Sequence, residues 1–185
     1  MRISIPLPSH AQLHGGGFEA GFFHPVLGFD HLLAMIAVGI IATQLGGRAT
    51  YLLPLNFMIV MLIGALFGFN HISFMNDELA IQLSVLTLGI IIAIDKKIFF
   101  PLSIIFISFF AFFHGHAHGE EIPKMSSAWK YAGGFILATG LLHLCGVSIS
   151  YSLNKIPHGR AVVRHLGSAI MGIGFYMLFR DFLQI

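Results

Sequence analysis

The sequence predicts an all-α integral membrane protein, a bundle of about six transmembrane helices, and its composition is the first reason. Of the 185 residues, 56% are hydrophobic and only 10% are charged, and the mean hydropathy is +0.85. A soluble domain carries about 25% charged residues, so this chain has too few charges to cover a surface that faces water. The excess apolar surface is therefore expected to face a lipid bilayer.

The second reason is the alternation of long apolar segments with short breaks that hold the charged residues. A helix needs roughly 20 apolar residues to cross the hydrocarbon core of a bilayer. Because no internal repeat is visible, we predict one membrane domain, residues 24–185, after an external N-terminal segment, residues 1–23. The six predicted helices are residues 26–45, 51–69, 79–94, 98–113, 129–153 and 161–183.

The N-terminal segment has features of a signal peptide. A short apolar stretch, residues 3–7, follows Arg2 and precedes Ser9-His10-Ala11, which is similar to a cleavage site. The stretch is shorter than the roughly 7–15 apolar residues of a working signal peptide, and prolines interrupt it. Residues 1–23 are therefore either the remnant of a signal peptide or the product of a start site placed too far downstream.

Small residues predict where helices pack together, since the chain has 21 glycines. In membranes, small residues allow two helix backbones to approach closely. Gly64 and Gly68 form a GxxxG pair in the second segment, and Ser168 and Gly172 form a looser pair in the sixth. Both pairs are predicted to be packing contacts.

The basic residues of the breaks predict the orientation of the bundle. Cytoplasmic loops of membrane proteins carry an excess of Lys and Arg. The odd-numbered breaks hold five such residues and the even-numbered breaks hold two. The odd-numbered breaks are therefore predicted to be cytoplasmic, with both termini outside. The odd breaks hold Arg48, Lys96, Lys97, Lys155 and Arg160, whereas the even breaks hold Lys124 and Lys130.

The net charge of the chain is only +2, and the charged residues are scattered along it. No nucleic-acid partner is therefore expected.

Histidines and carboxylates collect at the predicted outer face. The first helix begins there with HPVLGFDH, residues 24–31, and the fourth ends there with HGHAHGEE, residues 114–121. Glu78 opens the third helix at the same level. These stretches bring imidazole and carboxylate groups together, and the predicted metal ligands are His24, Asp30, His31, Glu78, His114, His116, His118 and Glu121.

Spacing supports this prediction. Seven residues of a helix advance about 700°, so His24 and His31 would share one face two turns apart. His114, His118 and Glu121 would also share a face if the helix continues through the glycines between them.

Asp30 and the mixed donor set indicate the kind of ion. A carboxylate one turn inside a membrane helix costs about 2.5–3.5 kcal/mol on insertion scales, so Asp30 is interpreted as functional. It would either orient a ligating imidazole or ligate an ion from an unwound turn. Imidazole with carboxylate suits nickel, cobalt and zinc, whereas calcium and magnesium prefer shells of oxygen alone.

The histidines outside the two motifs are interpreted mainly as structural. His143 lies about 21 Å along its helix from Trp129, in the inner half, where it would serve as a stepping site if ions pass through the bundle. Packing or interhelical hydrogen bonding is assigned to His71, His143 and His165, and a solvated loop position to His10, His14 and His158.

The two motifs resemble those of the HupE/UreJ family of nickel permeases. The first family motif, H-P-x-x-G-x-D-H, is met at every fixed position by residues 24–31. The second, F-H-G-x-A-H-G-x-E, is met by residues 113–121. Residues 131–143 are also similar to the fifth helix of the family, so the resemblance covers nearly the whole chain.

The resemblance implies a small secondary permease of the bacterial cytoplasmic membrane, with no prosthetic group and no enzymatic activity. Its substrate would be Ni²⁺, or Co²⁺ in some members, taken up for hydrogenase or urease assembly. Because neutral imidazole binds the metal, uptake is expected to weaken below about pH 6. The motifs place functional groups on His24, Asp30, His31, His114, His118 and Glu121, while His116 is at a variable position and Glu78 is added from the topology.

Three other classes of protein are less well supported. A histidine-box metalloenzyme needs several HxxxH or HxxHH clusters, and only His114–His118 qualifies. A b-type haem protein needs axial histidines on paired helices, and a metal sensor needs an output domain for which 185 residues leave no room. The sequence does not distinguish nickel from cobalt, because both ions accept the same nitrogen and oxygen ligands. It also does not indicate an oligomeric state.

Overall fold

The computed structural model describes residues 17–72, 76–122 and 127–183, and the described part of the chain is helical with no strand. Residues 1–16 lie outside these ranges, so the structure does not describe the proposed signal-peptide remnant, His10 or His14. Of the predicted N-terminal segment 1–23, only residues 17–23 are described. The helices in chain order are α1 Phe18–Leu27, α2 Phe29–Leu45, α3 Ala49–Phe69, α4 Asp77–Ile94, α5 Phe100–Glu121, α6 Ala128–Leu153 and α7 Gly159–Leu183.

The helices have the length and polarity of membrane spans. In the described ranges, five helices, α3 to α7, are long and apolar enough to cross a bilayer, and α1 with α2 meets the same criteria when the bent pair is taken together as one span. Large apolar side chains cover the outside of the bundle; Ile105 is 67% exposed and Phe99 74%. This surface is suited to lipid and confirms the predicted all-α membrane fold.

The first predicted helix is interrupted, which corrects the expectation that His24 and His31 lie on one continuous helix. Gly28 has extended backbone angles, and the axes of α1 and α2 differ by 81°. Glycine has the lowest helix propensity after proline, so a break there costs little. The backbone N–H of Gly28 still donates to the His24 carbonyl, at 3.0 Å, which closes the last turn of α1.

Tertiary contacts explain why α1 turns away from the axis of α2. The backbone of α1 lies directly against the first turns of α6, where Gly21 faces the carbonyl of Tyr131 and Gly134 faces that of Phe18. A Cβ at either glycine would overlap these backbone atoms. The bend therefore lets α1 cover the end of α6 while α2 continues into the bundle.

Helices α3 and α5 pack along a seam of four glycines. Gly64 and Gly68 of α3 face the backbone of α5, and Gly115 and Gly119 of α5 face the backbone of α3. The GxxxG prediction for α3 is confirmed. The fourth predicted segment, which ended at residue 113, was too short, because the glycines of α5 stabilise close helix packing and the helix continues to Glu121.

Helices α4 and α7 pack through different small residues from those predicted. Gly89 of α4 meets the backbone of α7, and Gly167 and Gly174 of α7 meet that of α4. Ser168 and Gly172 are exposed, and a Cβ added at Gly172 would have no neighbour within 4 Å. The predicted packing role of the Ser168–Gly172 pair was therefore wrong, since that face of α7 points outward.

The bundle has two chemically different ends. Arg160 forms an ion pair with Asp95, and the guanidinium of Arg48 lies 5.3 Å from the ring centre of Phe100. The three odd-numbered loops thus meet at one end, called here the basic end. The start of α1 and the end of α7 lie at the opposite end, called the histidine end, because Gly17 adjoins Lys130 and Phe182 adjoins the start of α4.

Candidate metal centre

Four imidazole rings from three helices meet at the histidine end and are called here the histidine cluster: His24 of α1, His31 of α2, and His114 and His118 of α5. The His118 ring centre lies 4.6 Å from that of His24 and 4.3 Å from that of His31. His31 is 5.0 Å from His114 by the same measure. His31, His114 and His118 are buried, and His24 is partly exposed. The bend at Gly28 and the continuation of α5 create this arrangement.

Glu121 brings a carboxylate to the exposed side of the cluster. Its Oε2 lies 2.9 Å from Nε2 of His24 and 4.0 Å from Nδ1 of His118. Each of the three residues offers one ligand atom, and these atoms lie within 4.8 Å of one another. Ligands about 2.0–2.2 Å from an ion lie at most about 4.4 Å apart. Small side-chain movements would therefore bring these three groups onto one ion.

Asp30 holds the imidazole of His31 in a defined orientation. The Oδ1 atom of Asp30 accepts a hydrogen bond from Nδ1–H of His31 at 2.6 Å and another from its backbone N–H at 2.7 Å. With the hydrogen on Nδ1, the lone pair of the neutral ring is on Nε2, which is buried and has no partner among the described residues. A carboxylate behind an imidazole is a common arrangement at metal sites, where it orients the ligand and raises its basicity.

His114 and His118 also present ring nitrogens that no described residue binds. Nδ1–H of His114 donates to the Phe110 carbonyl at 2.9 Å, which leaves the lone pair on its buried Nε2. Neither ring nitrogen of His118 has a hydrogen-bond partner in the described ranges. Each buried polar group without a hydrogen-bond partner lowers the stability of the folded protein by about 1–3 kcal/mol. Several such nitrogens close together therefore indicate a site where a ligand supplies the missing partner.

His116 lies outside the histidine cluster and has partners at both ring nitrogens. Its Nδ1 donates to Oδ2 of Asp77 at 2.5 Å, and its Nε2 donates to the Ile72 carbonyl at 2.7 Å. These contacts tie the start of α4 to α5. Ligand atoms of Asp77, His116 and Glu120 also lie within 4.8 Å of one another, which makes them a second grouping of possible metal ligands.

Glu78 is not brought to either grouping. It lines a cavity of about 840 Å³ between α4 and α7, together with Gln82 and Arg180, while its neighbour Asp77 faces α5. Adjacent helical residues point about 100° apart, and the sequence does not reveal which of the two acidic residues faces the histidines. Asp77 and Glu120 were not among the predicted ligands, although the four-residue spacing of His116 and Glu120 indicated that these two residues share a face.

The fold and this site define a multi-pass, all-helical membrane protein with a candidate transition-metal centre at one end. A family model described as HupE / UreJ protein matches residues 2–177. Protein HupE of Rhizobium leguminosarum bv. viciae is 41% identical over 178 residues, which cover 95% of this chain and 93% of that protein. No solved structure matches.

The chain belongs to the HupE/UreJ family, as the resemblance of its two motifs indicated. The family is associated with nickel and cobalt transport, and its members are permeases or accessory proteins and not enzymes. Membership therefore argues against the alternative of an intramembrane metalloenzyme.

Proposed function

We propose that this protein is a permease that takes up Ni²⁺ through the histidine cluster. The observation that carries the proposal is the contact between three buried imidazoles, each of which has at least one ring nitrogen that no described residue binds. Carboxylates lie beside them, and the bundle is of membrane-spanning length. Imidazole and carboxylate are the donors that borderline divalent ions accept. Co²⁺ accepts the same donors and is the second candidate substrate.

Each member of the site has a distinct role in this proposal. His24, His118 and Glu121 form the capture site, since their donor atoms already lie close together and Glu121 is exposed. His31 lies behind them and is oriented by Asp30. The carboxylates of Asp30 and Glu121 balance the positive charge of the ion. This balance is needed because a charge is costly to bury in surroundings of low dielectric constant.

We place the protein in the bacterial cytoplasmic membrane with the basic end inside. The basic end carries Arg48, Lys96 and Arg160, and cytoplasmic loops are enriched in such residues. The histidine cluster and both termini then lie outside, where an ion in the external medium reaches Glu121 first.

A haem protein is a weaker candidate. The rings of His31, His114 and His118 are in contact, with centres 4.3–5.0 Å apart. A macrocycle coordinated between two of these imidazoles would need to separate them, and the helices that carry them are packed backbone to backbone on other helices. An ion without a macrocycle fits this spacing.

Uptake of radiolabelled Ni²⁺ and Co²⁺ in a transport-deficient host tests the proposal. His24→Ala and His118→Ala are expected to abolish uptake at normal protein levels, because each removes a donor of the capture site. His165→Ala and His158→Asn are the matched controls, since both histidines are exposed and outside the cluster. Normal uptake by His24→Ala would contradict the assignment of the capture site.

A double-mutant cycle tests whether α1, α2 and α5 share one ion. If His31 and His118 bind the same ion, either alanine variant should lose most of the same binding energy, and the two losses should not add. Calorimetric titration of the purified protein with Ni²⁺ measures the affinities of the two single variants and the double variant. Additive losses, with one binding step deleted by each variant, would indicate two independent sites.

A further inference from the structure

His143 of α6 is a buried histidine that the two family motifs do not contain. Only 1% of its surface is exposed. Its Nδ1–H donates to the carbonyl of Met35 at 2.8 Å, one turn past His31 on α2. The predicted interhelical hydrogen bond is confirmed, and it places the imidazole near the middle of the bundle, beyond the histidine cluster.

This hydrogen bond determines which ring nitrogen of His143 is available. A carbonyl only accepts hydrogen bonds, so Nδ1 carries the hydrogen and the lone pair of the neutral ring is on Nε2. Nε2 is buried and has no hydrogen-bond partner among the described residues. His143 therefore presents the same tautomer as His31 and His114.

A second polar group without a partner lies on the same face of α6. The hydroxyl of Thr139 is fully buried and, in the described ranges, has no hydrogen-bond partner. Residues four positions apart on a helix lie one above the other on one face. The two residues thus place an imidazole and a hydroxyl one helical turn apart on the same buried face of α6.

Ring contacts connect His143 to the histidine cluster. The buried ring of Phe57 on α3 lies 5.6 Å from the His114 ring and 5.1 Å from the His143 ring, centre to centre. His114 in turn contacts His31, and His31 contacts His118. A continuous series of rings leads from the capture site to His143.

We propose that His143 and Thr139 form a second, inner binding site for a borderline divalent cation. The inference rests on the proposed permease function and adds a stage to it: an ion leaves the histidine cluster, passes Phe57 and is held by Nε2 of His143, the Thr139 hydroxyl and water. A single imidazole with a hydroxyl binds such an ion weakly, which favours release towards the basic end.

The variant that tests the site is His143→Asn in the full-length, detergent-purified protein. The asparagine amide can donate to the Met35 carbonyl as Nδ1–H does, but it has no group at the position of Nε2. Titration with Ni²⁺ should show two binding steps in the unmodified protein, and His143→Asn should lose only the weaker one. Radiolabelled uptake by this variant should fall at least tenfold. Thr139→Val should weaken the same step, whereas Thr43→Val, whose hydroxyl is bonded to the Gly39 carbonyl, should not.

The outcomes separate a failure of the inner site from a failure of the permease function. If His143→Asn binds and transports like the unmodified protein, the inner site is wrong and the capture site stands. If the unmodified protein neither binds nor transports Ni²⁺ or Co²⁺, the proposed function itself fails. The melting temperature of each variant is measured as well, because a variant that unfolds would lose binding for that reason alone. If His143→Asn is unfolded, His143→Gln serves as the second substitution. Loss of the weaker step in a variant of normal melting temperature supports the proposal.

Discussion

Asp30 and Asp77 make the same contact with a histidine but in different surroundings. Each carboxylate accepts a hydrogen bond from a ring Nδ1–H, Asp30 from His31 and Asp77 from His116. The His31 ring has a buried Nε2 without a described partner, whereas Nε2 of His116 is bonded to a backbone carbonyl. The first pair leaves an imidazole ready to bind an ion, and the second fastens two helices together.

This difference predicts the effect of removing each carboxylate. Groups that orient a metal ligand typically contribute about 10–100-fold to affinity. Asp30→Ala is therefore expected to weaken Ni²⁺ binding by about that factor, and Asp30→Asn by less, because an amide oxygen still accepts from Nδ1–H. Calorimetric titration measures both.

Asp77→Asn is the matched control for the two Asp30 variants. It should leave the Ni²⁺ affinity unchanged and lower the melting temperature. A loss of affinity in Asp77→Asn would show instead that the grouping of Asp77, His116 and Glu120 binds metal.

At the scale of the helices, glycine seams fix how the elements that carry the histidines are placed. Gly64 of α3 lies so close to α5 that a Cβ would overlap the Phe112 carbonyl. Gly64→Ala should therefore force α3 and α5 apart and lower the melting temperature. Gly172→Ala is the control, since its Cβ would enter open space on α7. Equal melting temperatures for the two variants would mean that close backbone packing does not stabilise the bundle.

The order of the membrane-spanning segments and most of their limits could be predicted from the sequence, because each span needs a long apolar segment. The break at Gly28 could not, since a glycine within an apolar segment either ends a helix or packs against another helix. Gly28 does the first and Gly115 the second, and contacts with α6 and α3 decide between them. These contacts join residues far apart in the sequence, and no local pattern reports them.

The candidate site was predictable to the extent that it depends on helix ends. The motifs at residues 24–31 and 114–121 were expected at one end of the bundle, and the structure brings His24, His31 and His118 together there. Glu78 was expected beside them and lies elsewhere, because its side-chain direction depends on the rotation of α4 about its own axis. The length of an apolar segment does not specify that rotation.

At the scale of the whole molecule, the basic end and the histidine end predict a topology that labelling can measure. Cysteines introduced by Lys96→Cys and Ser127→Cys, in a Cys145→Ser background, would lie at opposite ends of the bundle, and both positions are exposed. In intact spheroplasts, an impermeant maleimide should react with the Ser127→Cys protein. It should react with the Lys96→Cys protein only after permeabilisation. Labelling of both from outside would exclude the proposed orientation.

The distribution of carboxylates has a consequence for the energy source of uptake. All eight Asp and Glu residues lie within about a turn of a helix end, whereas the interior histidines His114 and His143 donate Nδ1–H to backbone carbonyls and not to carboxylates. An ion passing them carries both of its charges through the membrane field. Each charge gains about 2.3 kcal/mol per 100 mV, so a divalent ion gains about 4.6 kcal/mol, enough for more than roughly a thousandfold accumulation.

Transport should therefore be electrogenic and need no second substrate. In liposomes containing the purified protein, an inside-negative potassium diffusion potential set with valinomycin should accelerate Ni²⁺ entry, and a reversed potential should slow it. If the rate of Ni²⁺ entry were independent of the voltage but depended on a proton gradient, compensating charges would have to move with the ion. With voltage as the only driving force, a bundle this small would concentrate a scarce metal using the energy that the cell already stores across its membrane.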